Sequence, residues 1–483
     1  MIWSFIQKQL LCHSESKLSD ANQTIEYREL LERAIVTGEH LREKLSEHAK
    51  CIILCKSDLN NAAALVACWC ANLVPIPAAV NYGERHYQKI LDLVKPDLII
   101  TDSEDINIKG MNIFQISVNR YIRFENSGLK QNENLKDAAV ILCTSGTTGQ
   151  PKGAVITKEG LIKNILHISE YLQTDSSDRI MIIRPLYHCA VLTGEFLLSL
   201  YKGTDIVFEG QKYNPLSVIG LIEKYNITVL GGTPTLFHHL TIGYHRLKKK
   251  SPLQTVVVSG ECMTKKQAEK IRSCFKDTKI YSVYGLTEAA PRVSYLPPHL
   301  FDTHPESVGA ALNETEIRIV ESFENLDCLP ALETGLVVVK SPSIMKGYYN
   351  DEELTRKVLH KGWLNTGDIG YMDQNGLLYI CSRADDMMIK AGMNIYPKEI
   401  ETAIRTIPIV EDAVAYGVKD GDGITIGVNI KLDRNSHDIN TDKKTLMALF
   451  SGVLPEYQMP GIINIVEELE KTVSGKTIRP KLL

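Results

Sequence analysis

The stretch PLSVIGLIEKYNITVLGG, residues 215 to 232, contains the two patterns that alternate through most of this chain. Its first part repeats apolar residues at helical spacing, and its second part, ITVLGG at 227 to 232, is a short apolar run that ends in two glycines. A helix followed by a buried strand is the unit from which parallel sheets are built. The stretch therefore predicts a large α/β domain with mainly parallel sheets flanked by helices.

Short strands of the same kind occur before and after this unit. They are expected at residues 51–55, 97–101, 138–144, 179–185, 204–209, 255–260 and 279–285. Beyond about residue 305 the strands are separated by turn signals such as DQNG at 373 to 376, which favours a small antiparallel or barrel-like region. The end of the chain predicts a compact α+β unit. We therefore expect a large domain over residues 1–382 and a small one over 383–483.

The composition is that of a globular protein with more than one domain. The chain has 483 residues, 44% of them hydrophobic, and a formal net charge of -4. Lys and Arg are spread along the chain, so no basic patch for a nucleic acid is expected. The 11 cysteines lack the paired spacing of a zinc site, which favours buried free thiols in a reducing cytoplasm.

The N-terminal stretch resembles an amphipathic helix more than a signal peptide, because it has no small-residue cleavage site. The apolar stretch at 62–80 is long enough to suggest a membrane span, but Pro75 and Pro77 interrupt it. A buried helix that leads into a strand is the better interpretation. We therefore expect no membrane span and a cytoplasmic protein.

The stretch TSGTTGQPKG at 144 to 153 combines glycines, hydroxyl side chains and one lysine. Glycines let backbone N–H groups turn toward a ligand, while the hydroxyls and the ammonium of Lys152 add further donors. The stretch therefore predicts a cradle for a polyphosphate. It is not the P-loop of nucleotide hydrolases, because Pro151 stands where that loop needs its second glycine and Gly153 follows the lysine.

Five motifs together carry a resemblance to a known family: TSGTTGQPKG at 144–153, YGLTE at 284–288, WLNTGDIGYMDQNG at 363–376, SRADDMMIKAGMNIYPKEIE at 382–401 and SGKTIRPKL at 474–482. Their order and spacing resemble those of the acyl-adenylate-forming enzymes, a superfamily that includes acyl- and aryl-CoA synthetases, adenylation domains of peptide synthetases and luciferases. The resemblance covers essentially the whole chain. It implies an ATP-dependent carboxylic acid ligase that forms an acyl-AMP, releases pyrophosphate and then transfers the acyl group to a thiol.

The resemblance implies a nucleotide site shared among these motifs. Tyr284 contacts adenine, Asp368 accepts both ribose hydroxyls, and Arg383 reaches the ribose or a phosphate. Thr287 lies near the α-phosphate or the substrate carboxylate, and Glu288 binds magnesium. The family places the remaining contacts to the phosphates and to adenine at Thr144, Ser145, Gly146, Thr147, Thr148, Gly149, Lys152, Gly260 and Gly285.

The resemblance also implies a catalytic lysine on a mobile domain. Lys476 bridges the attacking carboxylate and the α-phosphate during adenylation. Asp385 lies at the hinge about which the small C-terminal domain turns between the two half-reactions. That turn removes Lys476 and brings the loop IKAGMNI at 389 to 395 to the tunnel of the thiol.

The segment PLYHCAVL at 185–192 bears on the acid substrate. It lacks the Asp with which amino-acid-activating domains hold an ammonium group, and His188 is typical of carboxylate–CoA ligases, so a free amino acid is not expected. Arg292 either meets a polar group on the acid or forms a structural ion pair. Whether the acid is fatty, aromatic or of another kind stays open. The pocket walls are expected to include Tyr187, Val191, Leu192, Gly232, Thr233 and Leu286.

The thiol acceptor is expected to be a separate molecule, because no carrier domain follows the lysine motif. CoA is favoured over an acyl carrier protein, which remains the first alternative. The second alternative is a nucleotide-binding family member without turnover. The joint presence of Lys476, Asp368, Glu288 and Arg383 argues against it, since a protein that only binds nucleotide has no need of a mobile lysine. A monomer or homodimer is expected.

Overall fold

The computed structural model divides into two compact units that are interleaved in sequence. The first unit comprises Met1–Ile317 and Val339–Leu364, and the second comprises Arg318–Val338 and Asn365–Leu483. The predicted boundary between residues 382 and 383 stays a prediction. The structure describes residues 1–80, 84–103, 108, 110–124, 133–145, 151–209, 214–386, 388–390, 393–420, 423–433, 443–470 and 478–480.

A nine-stranded sheet forms the centre of the first unit. Its six middle strands are parallel, and strands at both edges add antiparallel pairs. The carboxyl ends of the parallel strands meet at one edge, where the connecting loops can bring side chains together. In sheet order the strands are Ala310–Ala311, Arg292–Leu296, Lys279–Gly285, Thr255–Val258, Val229–Gly232, Arg179–Ile182, Asp205–Phe208, Lys17–Ser19 and Thr24–Glu26.

The first unit also contains a five-stranded sheet, called the second sheet below, and a three-stranded sheet. Apolar side chains from both, such as Ile99, Ile141 and Val155, share one hydrophobic cluster. The second sheet has the order Val74–Pro77, Lys50–Leu54, Leu98–Thr101, Ile113–Gln115 and Arg120–Arg123, and only its last strand is antiparallel. The three-stranded sheet is antiparallel and consists of Gly347–Tyr348, Pro151–Thr157 and Ala138–Ser145.

The helices of the first unit mostly connect strands of these sheets. Cys189–Val191 continues directly into a π-helical segment, Leu192–Leu197, and then into Leu198–Lys202. The other α-helices are Ile2–Cys12, Tyr27–Arg42, Asp58–Cys70, Glu84–Val94, Lys158–Tyr171, Pro215–Lys224, Pro234–Leu247, Lys265–Cys274 and Glu352–Val358. Short 3-10 helices are Ile116–Val118, Glu133–Leu135, Thr287–Ala289 and Pro298–Leu300.

The second unit has a core of its own between one sheet and two helices. The strands Val410–Asp420 and Gly423–Leu432 are antiparallel, and Ile462–Ile465 pairs parallel with the latter. Fully buried side chains of Ile400, Ile426 and Phe450 belong to this core. The helices are Pro397–Ile404 and Lys443–Ser451, the short 3-10 helices are Ala384–Asp386 and Glu456–Gln458, and a further hairpin is formed by Met388–Lys390 and Met393–Ile395.

A barrel-like sheet includes strands at the boundaries of the two units. The strands are Glu316–Val320, Gly335–Lys340, Leu359–His360, Trp363–Met372 and Leu378–Arg383. The last two form a hairpin whose turn follows DQNG, with Gly376 N–H donating to the Asp373 carbonyl at 3.0 Å. This agrees with the antiparallel region predicted beyond residue 305.

The predicted fold class is confirmed, with one strand differing in its pairing. The run at 138–144 is not part of a parallel sheet, because Ala138–Ser145 turns back on Pro151–Thr157 as an antiparallel partner. The stretch at 62–80 is confirmed as a helix, Asp58–Cys70, that leads into the strand Val74–Pro77. Within the described part of the chain, no helix is long and apolar enough to span a membrane.

The expectation that the cysteines are buried free thiols is only partly correct. Each is recorded as a free thiol, but only Cys51, Cys55, Cys68 and Cys189 are buried, whereas Cys12 and Cys328 are exposed. The exposed pair lies at the end of the first helix and in a loop, where no packing is required of the side chain. Burial therefore does not account for all the thiols.

Candidate active site

The predicted phosphate loop is carried by an antiparallel hairpin. Thr144 lies opposite Lys152 in the strand register, and Cys143 lies opposite Gly153. The ammonium of Lys152 lies 5.5 Å from the ring centroid of Tyr348, which is within the range of a cation–π contact. Gly146, Thr147, Thr148 and Gly149 lie outside the described residues, as does the side chain of Ser145.

Tyr348 connects this hairpin to the YGLTE motif. Its hydroxyl donates to Glu288 Oε1 at 2.7 Å, and its strand Gly347–Tyr348 pairs with Pro151–Thr157. The neighbouring Met345 N–H donates to the Glu288 carbonyl at 2.8 Å. Sequence reasoning missed Tyr348, because it belongs to none of the motifs and only a non-local pairing brings it here. A cation and a carboxylate therefore contact the same phenol, one through its ring and one through its hydroxyl.

The YGLTE motif is a strand end followed by a tight turn. Leu286 N–H donates to the Pro291 carbonyl at 3.0 Å, and Thr287–Ala289 form a single 3-10 turn. A methyl group on Gly285 would lie 2.1 Å from the Pro291 carbonyl oxygen, so only glycine permits this approach. Tyr284, Thr287 and Glu288 are each partly exposed at this turn.

His188 lies at the start of the helix that leads into the π-helical segment. Burial, with a further contribution from the positive charge of Arg184, lowers the pKa of His188 to about 4. The imidazole is therefore neutral at neutral pH and can act as a hydrogen-bonding group rather than as a cation. Arg184 itself pairs with the buried Glu195, whose Oε1 accepts from Nη2 at 2.6 Å.

The predicted pocket residues come from elements that meet at one place. A methyl group on Gly231 would lie 2.6 Å from Glu195 Oε1, so the end of the strand Val229–Gly232 lies against the π-helical segment. Thr233 follows this strand and accepts from Leu236 N–H at 3.2 Å as the cap of the next helix. The Tyr187 ring centroid lies 4.5 Å from that of His188.

Three further predicted residues differ in exposure. Val191 and Leu192 are fully buried, whereas Leu286 is partly exposed. Gly260 has φ +87°, and a methyl group built there would lie 3.5 Å from Thr233 Cγ2. Gly260 and Thr233 of the predicted pocket wall are therefore neighbours.

Asp368 and Arg383 pair with each other in the second unit. They are opposite residues of the hairpin Trp363–Met372 and Leu378–Arg383, and Arg383 Nη1 donates to Asp368 Oδ1 at 2.9 Å and to the Thr366 carbonyl at 3.0 Å. Gly367 has φ +69°, and a methyl group there would lie 2.9 Å from Arg383 Nη2. The two residues predicted to contact ribose are thus assembled by one hairpin.

The predicted hinge residue lies within the described part of the chain, whereas the predicted catalytic lysine does not. Lys476 lies outside the described residues, as do Ala391 and Gly392 of the predicted tunnel loop. Asp385 is exposed in the short 3-10 helix Ala384–Asp386. Close to Lys476 in sequence, Arg479 binds Asp386 and donates to Glu401 Oε1 at 2.7 Å, which attaches the end of the chain to the core of the second unit.

The first unit thus places one ammonium and one carboxylate against the same phenol, an arrangement suited to phosphates. Among the described side chains, no group of three or more His, Cys, Asp and Glu residues has the geometry of a metal site. Glu288 offers a hard oxygen ligand of the kind that Mg²⁺ takes when phosphates and waters supply the rest. The residues present therefore fit a magnesium ion that arrives with a nucleotide.

Two family models match the chain. The model described as AMP-binding enzyme matches residues 8–349, and the model described as AMP-binding enzyme C-terminal domain matches residues 399–476. Together they cover most of the sequence, including the hairpin of Lys152, the YGLTE turn and the core of the second unit. The stretch between the two matches contains Asp368 and Arg383.

Similar proteins of known name are CoA ligases. A long-chain-fatty-acid–CoA ligase of Bacillus subtilis is 31% identical over 72% of this chain, which spans 61% of that protein's length. A feruloyl-CoA synthase of an Amycolatopsis species is 30% identical over 71% of this chain and 69% of its own length. The O-succinylbenzoate coenzyme A synthetase of Bacillus subtilis, solved with ATP and magnesium, has a TM-score of 0.84 at 22% identity, covering 98% of both chains.

Proposed function

The chain belongs to the AMP-binding enzyme family, and on that premise we propose that it is an ATP-dependent carboxylic acid–CoA ligase. In the first half-reaction the carboxylate of the acid attacks the α-phosphorus of ATP, which forms an acyl-AMP and releases pyrophosphate. In the second, the thiol of CoA attacks the acyl carbonyl and displaces AMP. The product is a thioester.

One observation carries the proposal: Tyr348 contacts both Lys152 and Glu288. The phosphate hairpin and the YGLTE turn are far apart in sequence, yet Lys152 lies over the phenol ring and Glu288 accepts from its hydroxyl at 2.7 Å. A cation and a hard oxygen ligand held by one rigid side chain suit a magnesium-bound polyphosphate. This arrangement supports nucleotide chemistry and carries no information about the acid.

The residues of the first unit would act mainly by positioning charge. Lys152 would neutralise phosphate oxygens, and Thr287 would donate a hydrogen bond to the α-phosphate or the attacking carboxylate. Glu288 would hold Mg²⁺, which when bound neutralises charge on the phosphate oxygens. Neutral His188, at the start of its helix, would orient the acid without repelling or attracting it electrostatically.

The residues of the second unit would bind the ribose and would supply a lysine that acts in the first half-reaction only. Asp368 would accept from the ribose hydroxyls, held in place by Arg383 at 2.9 Å. Lys476 would stabilise charge during adenylation only, and rotation about Asp385 would then remove it. The attachment of Arg479 to Asp386 and Glu401 supports this division, since it makes the chain near Lys476 move with the core of the second unit.

CoA is the proposed acceptor, supported by the similarity to named CoA ligases. A separate acyl carrier protein remains the alternative. The measurement that separates them is a saturation curve with each acceptor. Saturable thioester formation at sub-millimolar CoA supports the proposal, whereas an acyl-AMP that stays bound until a phosphopantetheinylated carrier is added contradicts it.

The half-reactions provide the test of the proposal as a whole. A panel of fatty, aromatic and dicarboxylic acids is screened for acid-dependent pyrophosphate release from ATP and Mg²⁺. With an accepted acid, Lys476→Ala is expected to reduce pyrophosphate release about a thousandfold, because it removes a positioned charge from the transition state. Thioester formation from synthetic acyl-AMP and CoA should largely persist.

A matched control is Lys471→Ala, which removes another lysine of the same segment and should leave both half-reactions unchanged. Equal loss in both half-reactions in the Lys476 variant would contradict the role given to this lysine. Failure of every acid to promote pyrophosphate release would contradict the ligase proposal itself.

A further inference from the structure

Arg292 is a buried cation whose backbone is firmly held and whose side chain has no carboxylate partner among the described residues. It is only 4% exposed, and Asn164 binds its N–H at 3.1 Å and its carbonyl at 2.9 Å. The guanidinium Nε has no hydrogen-bond partner. Within the part of the chain that the structure describes, the guanidinium forms no ion pair. The sequence left open whether Arg292 makes a structural ion pair, and the described residues provide none.

The neighbouring groups do not compensate this charge. Burial raises the pKa of the Tyr171 hydroxyl, although the positive charge of Arg292 and a side-chain hydrogen bond with it act in the opposite direction. The phenol is therefore neutral at neutral pH. Glu195 is paired with Arg184 at 2.6 Å, and Glu288 accepts from Tyr348.

A buried guanidinium without a carboxylate partner is costly, because the neutral groups around it replace only part of its hydration. Structural arginines in such positions normally pair with a carboxylate. A buried cation that is kept without a carboxylate partner at such a cost indicates a binding site for an anionic ligand. The place of Arg292 in the fold then decides which ligand this is.

Arg292 lies beside the predicted acid pocket. A methyl group on Gly194 would lie 3.0 Å from Arg292 Nη2, so glycine in the π-helical segment lets the guanidinium lie close against the main chain of this segment. The charges of both Glu288 and Arg292 act on the thiol of Cys189, which follows His188 directly. Irregular π-helical turns occur frequently at functional sites. The guanidinium thus adjoins the same helix start that carries His188.

We propose that Arg292 binds a second carboxylate of the acid substrate, which makes this enzyme a ligase for dicarboxylic acids. The inference rests on the proposed function, since it assigns the substrate class of that site. One carboxylate would react with ATP near Thr287, and the other would form a charge-assisted, bidentate pair with the guanidinium. The pocket therefore discriminates by charge at the distal end of the acid as well as by length.

Paired acids test the inference. Malonate, succinate, glutarate, adipate and terephthalate are each compared with the monocarboxylic acid of the same skeleton, by pyrophosphate release from ATP. The enzyme is expected to favour at least one dicarboxylic acid over its partner by about tenfold or more in kcat/KM, the contribution of one charged hydrogen bond. Arg292→Met should abolish that preference, and Arg292→Lys should retain part of it.

Two measurements of the thermal midpoint distinguish an effect of Arg292 on substrate specificity from an effect on the stability of the fold. Arg292→Met replaces an unpaired charge by an apolar side chain of similar length, so its thermal midpoint should be equal to or higher than that of the original protein. A favoured dicarboxylate should raise the midpoint of the original protein and of Arg292→Lys more than that of Arg292→Met. The control Arg28→Met removes an exposed arginine that pairs with Glu26 and should change neither preference nor midpoint shift.

The possible outcomes are distinct. If monocarboxylic acids are activated as well as every dicarboxylic acid, the inference is wrong while the ligase proposal stands. If Arg292→Met raises the KM for ATP equally with all acids, the guanidinium serves the nucleotide and the inference is wrong. If dicarboxylates stabilise the protein through Arg292 but no acid releases pyrophosphate, Arg292 binds a carboxylate as inferred, whereas the ligase proposal fails. If no dicarboxylate binds or reacts, the inference is wrong.

Discussion

Tyr348 contacts two residues that belong to separate motifs, although it belongs to neither. Its ring faces the Lys152 ammonium at 5.5 Å, and its hydroxyl donates to Glu288 Oε1 at 2.7 Å. A phenol has few rotatable bonds, so it can fix both groups at little entropic cost. At the scale of single residues, the phosphate site therefore depends on a side chain whose role is to position its neighbours.

Replacing Tyr348 by Phe tests that role. Tyr348→Phe keeps the ring under Lys152 but removes the donor to Glu288, and a hydrogen bond to a charged group contributes about 1.5–3 kcal/mol. We expect kcat/KM for pyrophosphate release to fall about tenfold or more, with a raised requirement for Mg²⁺. Steady-state kinetics over a magnesium titration provides the measurement.

Tyr349→Phe is the matched control for this prediction. Tyr349 follows directly in sequence, and its ring faces Lys50 at 5.5 Å, away from the proposed chemistry. The control should leave the magnesium dependence unchanged. Equal magnesium titrations for both variants would show that the Tyr348 hydroxyl has no part in positioning Glu288.

Turns at strand ends determine the site at the scale of elements. The strand Lys279–Gly285 ends where Leu286 N–H bonds back to Pro291, and this turn projects Thr287 and Glu288. The approach is so close that a methyl group on Gly285 would lie 2.1 Å from a backbone oxygen. The neighbour is main chain, so it cannot move aside by a change of rotamer.

Gly285→Ala is therefore expected to destabilise the fold by about 3 kcal/mol, the upper end for overpacking. Gly220 provides the matched comparison, since it lies exposed in the helix Pro215–Lys224 with no atom within 4 Å of an added methyl group. Gly220→Ala should stabilise the protein by about 0.5–1 kcal/mol. Denaturant unfolding of both variants gives the comparison, and equal stabilities would show that the turn deforms easily.

The two compact units are interleaved in sequence at the scale of the whole molecule. Residues Arg318–Val338 group with the C-terminal part of the chain, although they precede Val339–Leu364, which groups with the first unit. Each unit contributes different predicted functions: the phosphate and acid residues lie in the first, and Asp368 with Arg383 lies in the second. A two-step reaction in which one unit moves is compatible with such a division.

The stability of the molecule should depend on pH through the carboxyl groups of Asp58, which is partly buried, and Glu209, which is buried. Burial raises the pKa of Asp58 to about 7, with further contributions from Asp20 and Asp102, and it raises the pKa of Glu209 to about 7, with a contribution from Asp58. Both oxygens of Glu209 lack a hydrogen-bond partner in the described structure. These carboxyl groups are therefore protonated in the folded protein at a pH where they are ionised in the unfolded chain.

The sign follows from proton uptake. Since the folded state binds more protons between the unfolded pKa values, near 4, and about 7, the free energy of unfolding falls as the pH rises through this window. Glu209 alone is expected to lower it by about 2 kcal/mol between pH 5 and pH 8. Glu209→Gln should remove that share of the pH dependence.

The measurement is denaturant unfolding at both pH values for the original protein and for Glu209→Gln. Glu353→Gln serves as the control, because Glu353 is exposed and pairs with Lys357. A difference between the original protein and Glu209→Gln that stays constant with pH would contradict a raised pKa at this position.

Much of the fold was predictable from local sequence patterns. The run ITVLGG and its preceding helix were found as Val229–Gly232 and Pro215–Lys224, because β-branched alternation and helical spacing act over a few residues. The pairing of Ala138–Ser145 was not predictable in the same way. Its continuous apolar run is typical of a buried parallel strand, and only its pairing with Pro151–Thr157 makes it antiparallel.

The motifs by themselves determined which chemical groups the site contains, since glycines, hydroxyls, Lys152 and Glu288 have properties that do not depend on their neighbours. Only the tertiary structure decided how those groups are held and charged. Tyr348 reaches Glu288 through a strand pairing, burial lowers the pKa of His188, and the buried Nε of Arg292 has no hydrogen-bond partner in the described structure. Each of these depends on distances and solvent exclusion between residues remote in sequence, which no local pattern encodes.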